Sequence, residues 1–283
     1  MIYTLTLNPA IDYVMTTRKL IIEVINRSTE QLYSAAGKGI NVSLALKKLG
    51  IENIAICLCG EGFVGDWLTK LLQSNNLEHS IIPVIGCDTR INVKVHHGDC
   101  ITEINGNFTV DEKALVAVHK KLDTLKSGDV LIASGSLPTG VPVDFYADIT
   151  LRLTKKGIYV IVDTSGEPLK EVVKTGKAFL IKPNQHELGE LLNVKIQTLD
   201  NAITYAQKLN CNTLTSMGKL GAVLVTANDV HICNTPKVIT NGYTVGAGDA
   251  LLAGFIADYI SNKDYKKALL SGVDYAMEYI YEK

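Results

Sequence analysis

The residues best suited to chemistry form a short run near the C-terminal end of the chain, Gly246-Ala247-Gly248-Asp249. An apolar helix follows, and the two glycines allow the backbone to turn tightly into it. The first N–H groups of a helix have no intrahelical partners and, together with the helix dipole, they bind anions. Asp249 would therefore place a carboxylate beside an anion site, as phosphoryl transfer to a hydroxyl group requires. An ordinary N-terminal helix cap is the structural alternative.

A lysine between two glycines, Gly37-Lys38-Gly39, precedes a second helix. The spacing is neither that of a P-loop nor that of a dinucleotide-binding fingerprint. A plain glycine turn is one interpretation. In the other, Gly39 allows a ligand to approach closely, and Asn41 in the helix bonds to sugar hydroxyl groups.

The segment from Arg90 to His96 alternates strictly between polar and apolar residues, which predicts a strand with Arg90, Asn92, Lys94 and His96 on one face. Such a face is commonly the solvated side of an edge strand. If it closes over a site instead, Arg90 offers a bidentate match to a phosphate group and Lys94 adds a point charge. That arrangement would predict a phosphorylated sugar as the substrate.

Three further segments could contact a ligand. In the segment that begins at Lys182, Asn184 and Glu187 have the spacing of a capping box, and they could also hold Mg²⁺ through water. The turn from Ser216 to Gly221 is either a simple hairpin or a set of backbone donors for a nucleotide. Ser136 follows a core strand, at the sheet edge where ligands gather.

These residues must be positioned by alternating strands and helices, which predict an α/β fold with a mostly parallel sheet between two helical layers. The predicted strands are Ile2–Leu7, Ile54–Leu58, Ile81–Ile85, Asp129–Ala133, Ile158–Val162, Ala178–Ile181, Thr213–Ser216, Val223–Thr226 and Val230–Cys233. The predicted helices are Ile40–Leu49, Phe63–Ser74, Asp111–Leu125, Val143–Lys155, the helix after Gly246 and a last helix from Tyr265 to Lys283. Residues 11–35 and 88–105 do not fit the alternation, and we expect them to form a small β-lid inserted into a single domain of residues 1–283.

The composition excludes several classes of function. A formal net charge of −1 gives no general support for binding nucleic acid or an anionic membrane surface. The six cysteines show no Cys-x-x-Cys pair, and no signal peptide or membrane-spanning stretch is apparent. We therefore expect a cytoplasmic protein with buried free thiols.

Six segments match, in chain order, the motifs of one family. They are Thr6 to Asp12, Gly37 to Val42, Thr89 to Lys94, Ser134 to Pro138, Lys182 to Leu188 and Gly246 to Phe255. On these residues the chain resembles, over nearly its whole length, the PfkB-type sugar kinases of the ribokinase-like fold. Within them it is most similar to the branch of 1-phosphofructokinases and tagatose-6-phosphate kinases.

The resemblance implies that ATP donates its γ-phosphoryl group to a hydroxyl group of a ketohexose phosphate. Asp249 would be the general base, and the backbone N–H groups of residues 246–249, from Gly246 through Ala247 and Gly248, would form the anion hole. The residues implied to hold the sugar phosphate are Asp12, Gly37, Lys38, Gly39, Asn41, Arg90, Asn92, Lys94 and Ser136. Those implied to contact the nucleotide are Lys182, Asn184, Ser216, Met217, Gly218, Lys219, Leu220, Gly221 and Gly248, with Asn184 and Glu187 near Mg²⁺.

Three functions stay open at this point. The first is conversion of fructose 1-phosphate to fructose 1,6-bisphosphate, and the second is phosphorylation of tagatose 6-phosphate. The third is a sugar-phosphate-binding regulator with little turnover, since Tyr243 stands where the family usually has Asn. The exposed strand edges of the lid need covering, so a homodimer through the lid is a further expectation.

Overall fold

The computed structural model describes residues 1–235 and 245–281 of the chain, and all statements on structure concern these residues. Tyr243 lies outside them. The strands are β1 (Ile2–Thr6), β2 (Ala10–Thr17), β3 (Glu30–Ala36), β4 (Asn53–Gly60), β5 (His79–Val84), β6 (Arg90–His97), β7 (Cys100–Asn105), β8 (Val130–Ser134), β9 (Tyr159–Asp163), β10 (Leu180–Ile181), β11 (Thr213–Ser216), β12 (Ala222–Val225) and β13 (Val230–Cys233). The helices are α1 (Lys38–Lys48), α2 (Phe63–Ser74), α3 (Glu112–Asp123), α4 (Phe145–Thr154), α5 (Gly166–Thr175), α6 (Gln185–Leu192), α7 (Leu199–Ala206), α8 (Ala247–Asn262) and α9 (Tyr265–Tyr281), and Gly218–Leu220 forms a 3₁₀ turn.

A nine-stranded sheet runs through the middle of the molecule in the order β13-β12-β11-β10-β9-β8-β1-β4-β5. All its pairs are parallel except that β12 is antiparallel to both neighbours. Parallel strands place their carboxyl ends at one edge of a sheet, where ligands bind in open α/β folds. The predicted fold class is confirmed.

Helices cover both faces of this sheet because successive strand residues point to opposite sides. On β8, Leu131 packs with α3, α4 and α5, whereas Ile132 packs with α1, α8 and α9. On β12, Val223 packs with α6 and α7, and Leu224 faces α8 and α9. Three layers result, and none of the helices in the described residues has the length and apolar character needed to cross a membrane.

A second, four-stranded sheet, here called the lid sheet, has the order β3-β2-β6-β7. Strands β2 and β6 pair in parallel, with Asp12 opposite Asn92 and Val14 opposite Lys94. Ile91 on β6 packs into the cluster around α2, so the alternate residues Asn92 and Lys94 point away from it. The division of the chain into one domain with a lid at about residues 11–35 and 88–105 stays a prediction.

Candidate active site

A cleft of about 800 Å³ lies between the lid sheet and the carboxyl ends of the strands of the large sheet. The predicted site residues that line it are Asp12, Gly37, Lys38, Asn41, Arg90, Asn92, Lys94, Ser136, Lys182, Asn184, Glu187, Ser216, Gly218, Lys219, Gly221, Gly246, Ala247, Gly248 and Asp249. Segments that lie far apart in the chain therefore meet in one place.

Three predicted site residues do not line this cleft, namely Gly39, Met217 and Leu220. Gly39 packs against β1, where an added Cβ would lie 2.8 Å from the carbonyl oxygen of Leu5. A glycine here serves helix-to-strand packing, and approach of a ligand at Gly39 stays a prediction. Met217 is buried in the cluster beneath α6 and α7, and Leu220 packs on the same cluster.

Asp249 lies in the first turn of α8 and is only 6% exposed. The turn before it is possible because Gly246 adopts a left-handed φ of 89°. The N–H groups of Ala247 and Gly248 begin the helix and lack intrahelical partners, whereas the N–H of Asp249 already donates to the Gly246 carbonyl at 3.1 Å. The anion site of this turn therefore rests on Ala247 and Gly248.

Burial, and after it the charge of the neighbouring Asp163 carboxylate, raise the pKa of Asp249 to about 6. The Nδ2 amide of Asn41 donates to Oδ2 of Asp249 at 2.8 Å and opposes that rise, as do Lys182 and Lys38. A carboxylate with a pKa near 6 accepts a proton more readily than an ordinary aspartate and is still ionised at neutral pH. The position suits a general base.

Asp163 was missed by the sequence analysis. It ends β9, is fully buried, and lies 2.9 Å from Nζ of Lys38 and 3.2 Å from Nζ of Lys182. Burial opposes ionisation of Asp163, but attraction by the two lysines outweighs it and lowers the pKa of this carboxyl group. An acidic residue directly after a buried parallel strand was the signal in the sequence.

The polar face of β6 points into the cleft. The Lys94 side chain is 7% exposed and pairs with Asp12 at 2.6 Å, while the Asn92 amide donates to Asp12 at 2.9 Å. The interpretation of this face as a solvated edge is therefore wrong for Asn92 and Lys94.

Arg90 lies at the start of the same face. Its guanidinium donates to the carbonyl oxygens of Asn8, Pro9 and Gly106 at 3.0 to 3.4 Å. Three of its five N–H donors are engaged in this way, which fixes the plane of the group and leaves donors for an anion. Burial lowers the pKa of Arg90, and the attraction of Asp12 opposes that change.

Asn184 and Glu187 form the capping box of α6. The Asn184 side chain accepts from the N–H groups of His186 and Glu187, and Oε2 of Glu187 accepts from the N–H of Asn184. The other carboxylate oxygen, Oε1, lies 3.7 Å from Nζ of Lys38. In the described residues no group of three or more His, Cys, Asp or Glu is placed to hold a metal. The capping role is confirmed, and only Oε1 of Glu187 fits a water-bridged Mg²⁺.

The end of the cleft beyond α8 is partly apolar. Its lining includes Ser216 and the turn residues Gly218 and Lys219, together with the apolar residues Leu251, Val273 and Met277. An apolar slot beside backbone donors suits a flat heterocycle attached to phosphates.

Comparison with known proteins agrees with this geometry. Residues 5–283 match the pfkB family of carbohydrate kinases. The chain is 37% identical to the 1-phosphofructokinase of Bacillus subtilis, over 96% of this chain and 90% of that protein. It is 32% identical to the tagatose-6-phosphate kinase of Staphylococcus epidermidis, over 98% of this chain and 93% of that protein.

A solved structure shows the same fold. Phosphofructokinase-2 from Escherichia coli, in complex with substrates and products, superimposes with a TM-score of 0.91 at 30% identity, over 97% of this chain and 91% of that one. The family match confirms the predicted enzyme class, a phosphotransferase acting on an alcohol group. The chain belongs to the pfkB family of carbohydrate kinases.

Proposed function

We propose that this protein transfers the γ-phosphoryl group of ATP to fructose 1-phosphate and forms fructose 1,6-bisphosphate. The observation that carries the proposal is the buried carboxylate of Asp249 next to the N–H groups of Ala247 and Gly248, which have no partners within the helix. The base can take the proton of the attacking hydroxyl group, and the anion site in the same turn can bind the phosphoryl group during its transfer. The similarity to the Bacillus subtilis enzyme supports the choice of substrate.

In this mechanism the sugar phosphate lies between the lid sheet and α8. Arg90 and Lys94 attract its phosphate group, and Asn41 and Asp12 bond to its hydroxyl groups. Asp249 takes the proton from the hydroxyl group that attacks the γ-phosphorus, and the bond from the γ-phosphorus to the β–γ bridging oxygen breaks with ADP as the leaving group. The proton remains on the Asp249 carboxylate until release to solvent. Lys38 and Lys182 stabilise the negative charge that the phosphoryl group carries during transfer.

ATP would lie toward Ser216, Gly218, Lys219 and Gly221. Mg²⁺, when bound, would offset part of the charge of the ATP phosphates. Glu187 would hold it by way of water through Oε1, since the side-chain oxygen of Asn184 is already engaged in capping α6.

Tagatose 6-phosphate is the second candidate substrate. The similarity to the Staphylococcus epidermidis enzyme favours it, and this sugar also presents a ketose and a phosphate to the same basic residues. The two substrates differ in which end of the ketohexose carries the phosphate group and in the configuration at C4.

Steady-state rates with fructose 1-phosphate, tagatose 6-phosphate and fructose 6-phosphate, each with Mg²⁺ and ATP, test the proposal. We expect the highest kcat/KM with fructose 1-phosphate. A clear preference for either of the other sugars would contradict this choice of substrate. Binding of a sugar phosphate without any ATP consumption would favour the regulator instead.

Two further properties belong to the proposal. We infer that residues 1–283 work as one kinase domain in the cytoplasm, which suits the six free cysteines. We also infer a homodimer formed through the lid sheet, since β3 and β7 are edge strands whose backbone groups need partners.

A further inference from the structure

The function proposed above gives the buried carboxylate of Asp163 no contact with either substrate. It is fully buried at the carboxyl end of β9, and within the described ranges its side chain pairs with two lysines of the cleft wall. The ion pair of Oδ1 with Lys38 is a direct hydrogen bond of 2.9 Å. The ion pair of Oδ2 with Lys182 is longer, at 3.2 Å.

Both lysines reach the cleft on the side of the Gly246–Asp249 turn. A Cβ added to Gly248 would lie 3.2 Å from Nζ of Lys182, so this ammonium group sits directly against the turn. Lys38 lies between Asp163 and Glu187, whose Oε1 is 3.7 Å away, and its charge also acts on Asp249. One carboxylate thus holds two cations next to the base and the anion site.

Stability alone does not account for this cluster. Burial of an ion pair contributes little net stability compared with apolar packing, because each charge loses its hydration. The two ammonium groups also repel each other, and they share a location only because Asp163 lies between them. Without that carboxylate, at least one lysine would turn toward solvent.

We propose that Asp163 is a positioning residue for phosphoryl transfer, which holds the ammonium groups of Lys38 and Lys182 against the Gly246–Asp249 turn. The phosphoryl group carries its negative charge at this turn during transfer. Cations already fixed there lower the activation free energy, because they need not move when the reaction occurs. The proposal rests on the proposed kinase function. Asp163 itself touches neither sugar nor nucleotide.

The Asp163→Asn variant keeps the shape of the side chain and removes its charge. We expect kcat to fall by about 10²-fold or more, the usual effect of losing a preorganised donor. The KM for the sugar phosphate should change less than kcat, because Arg90 and Lys94 are unaffected. The control is Asp123→Asn, which removes a surface carboxylate that also pairs with two cations, Arg152 and Lys156.

The pH profile separates positioning from a purely structural role. The charged groups that face Asp249 are Asp163 from β9, Lys38 from α1 and Lys182 after β10, and α9 adds Tyr279, whose pKa is raised first by burial and then by the charge of Asp249. Removal of the negative charge at residue 163 lowers the pKa of Asp249, so the acid limb of kcat/KM should move to lower pH. Removal of a positive charge in Lys182→Met should lower kcat and move the same limb to higher pH.

Lysine labelling supplies a readout that needs no turnover. In the wild type, the ammonium group of Lys38 donates a 2.9 Å hydrogen bond to Oδ1 of Asp163, which holds it back from a reagent in solution. Lys38 should therefore react faster with an acylating reagent in Asp163→Asn than in the wild type, as measured by mass spectrometry.

Three results would overturn the proposal. They are a folded Asp163→Asn variant with kcat and acid limb unchanged, unchanged labelling of Lys38 in that variant, and Lys182→Met with wild-type kcat. The last result counts even if Asp163→Asn does not fold. A wild-type kcat without the Lys182 ammonium group would mean that holding this group in place does not assist transfer. Absence of ATP consumption by the wild type with every ketohexose phosphate would instead contradict the kinase function, and the labelling result would still decide the role of Asp163.

Discussion

Single residues in the cleft carry charges that are largely removed from water. Asp249 is the clearest case, because burial and Asp163 raise its pKa to about 6 from an ordinary value of 3.8. A raised carboxyl pKa means that the folded state favours the protonated form, so ionisation of Asp249 costs stability as pH rises through 4 to 6. The ionised Asp249 that suits catalysis therefore lowers the stability of the folded protein.

Arg90 tests the assignment of the lid residues to a phosphate group. We predict that Arg90→Ala loses about 10- to 100-fold in kcat/KM with fructose 1-phosphate, the value of charge-assisted hydrogen bonds. The loss with free fructose should be much smaller. Both rates come from the same variant, so any damage to the carbonyl contacts of Asn8 and Pro9 cancels from the comparison.

The matched control is Arg152→Ala, which removes an arginine that pairs with Asp123 on the surface. It should leave both rates near those of the wild type. Equal losses of kcat/KM for the two sugars in Arg90→Ala would show that this arginine only stabilises the backbone of the lid.

The sequence identified most cleft residues but not their partners. Motif order and strand ends were enough to place Asp249, Lys38 and Arg90 near one another. The pairing of Lys38 with Asp163 joins residues 125 positions apart and depends on the order of β1, β8 and β9 in the sheet. A side-chain contact of that kind cannot be read from local spacing.

At the scale of elements, close packing of α1 on β1 positions Lys38 and Asn41. We predict that Gly39→Ala destabilises the protein by about 1–3 kcal/mol, the usual cost of overpacking. The added methyl group would meet the Leu5 carbonyl at 2.8 Å, and a backbone atom cannot move aside as the end of a side chain can. Urea unfolding followed by circular dichroism measures the change.

Lys47→Ala, on the exposed side of the same helix, is the control and should cost no more than about 0.5 kcal/mol. Equal stability of Gly39→Ala and the wild type would mean that α1 can shift on β1. The position of Lys38 would then not be fixed by this contact.

Most elements could be predicted from their hydrophobic pattern, including strands as short as β10. Helix α1 and the alternation in β6 followed from hydrophobic pattern, but α5 and α7 were missed. In α5, Leu169 and Val172 are buried at helical spacing, a periodic signal that was overlooked. Its other signals were Pro168 in the first turn and Gly176 after the end, where φ is 58°.

At the scale of the whole molecule, the lid sheet exposes apolar side chains in the loop between β2 and β3. Ile22 is 75% exposed and Ile25 is 84% exposed. Exposed apolar patches of this kind mark interaction sites. We predict a dimer in sedimentation velocity experiments, and a shift to monomer when Ile22→Lys and Ile25→Lys are combined.

Val116→Lys, which changes an exposed apolar residue on α3, is the control and should leave the dimer intact. A monomeric wild type at micromolar concentration would contradict the dimer. A dimer that survives the double substitution would place its interface elsewhere.

The most direct test of the active site is the activity of Asp249→Asn beside its binding and stability. The amide resembles the protonated carboxyl group, so substrate affinity measured by calorimetry should stay near that of the wild type. The free energy of unfolding at pH 8 should rise by about 1–3 kcal/mol, because the buried charge is gone. We predict that kcat falls by about 10²- to 10⁴-fold, the contribution of a general base. A folded Asp249→Asn variant with the kcat of the wild type would contradict the role of Asp249 as the base.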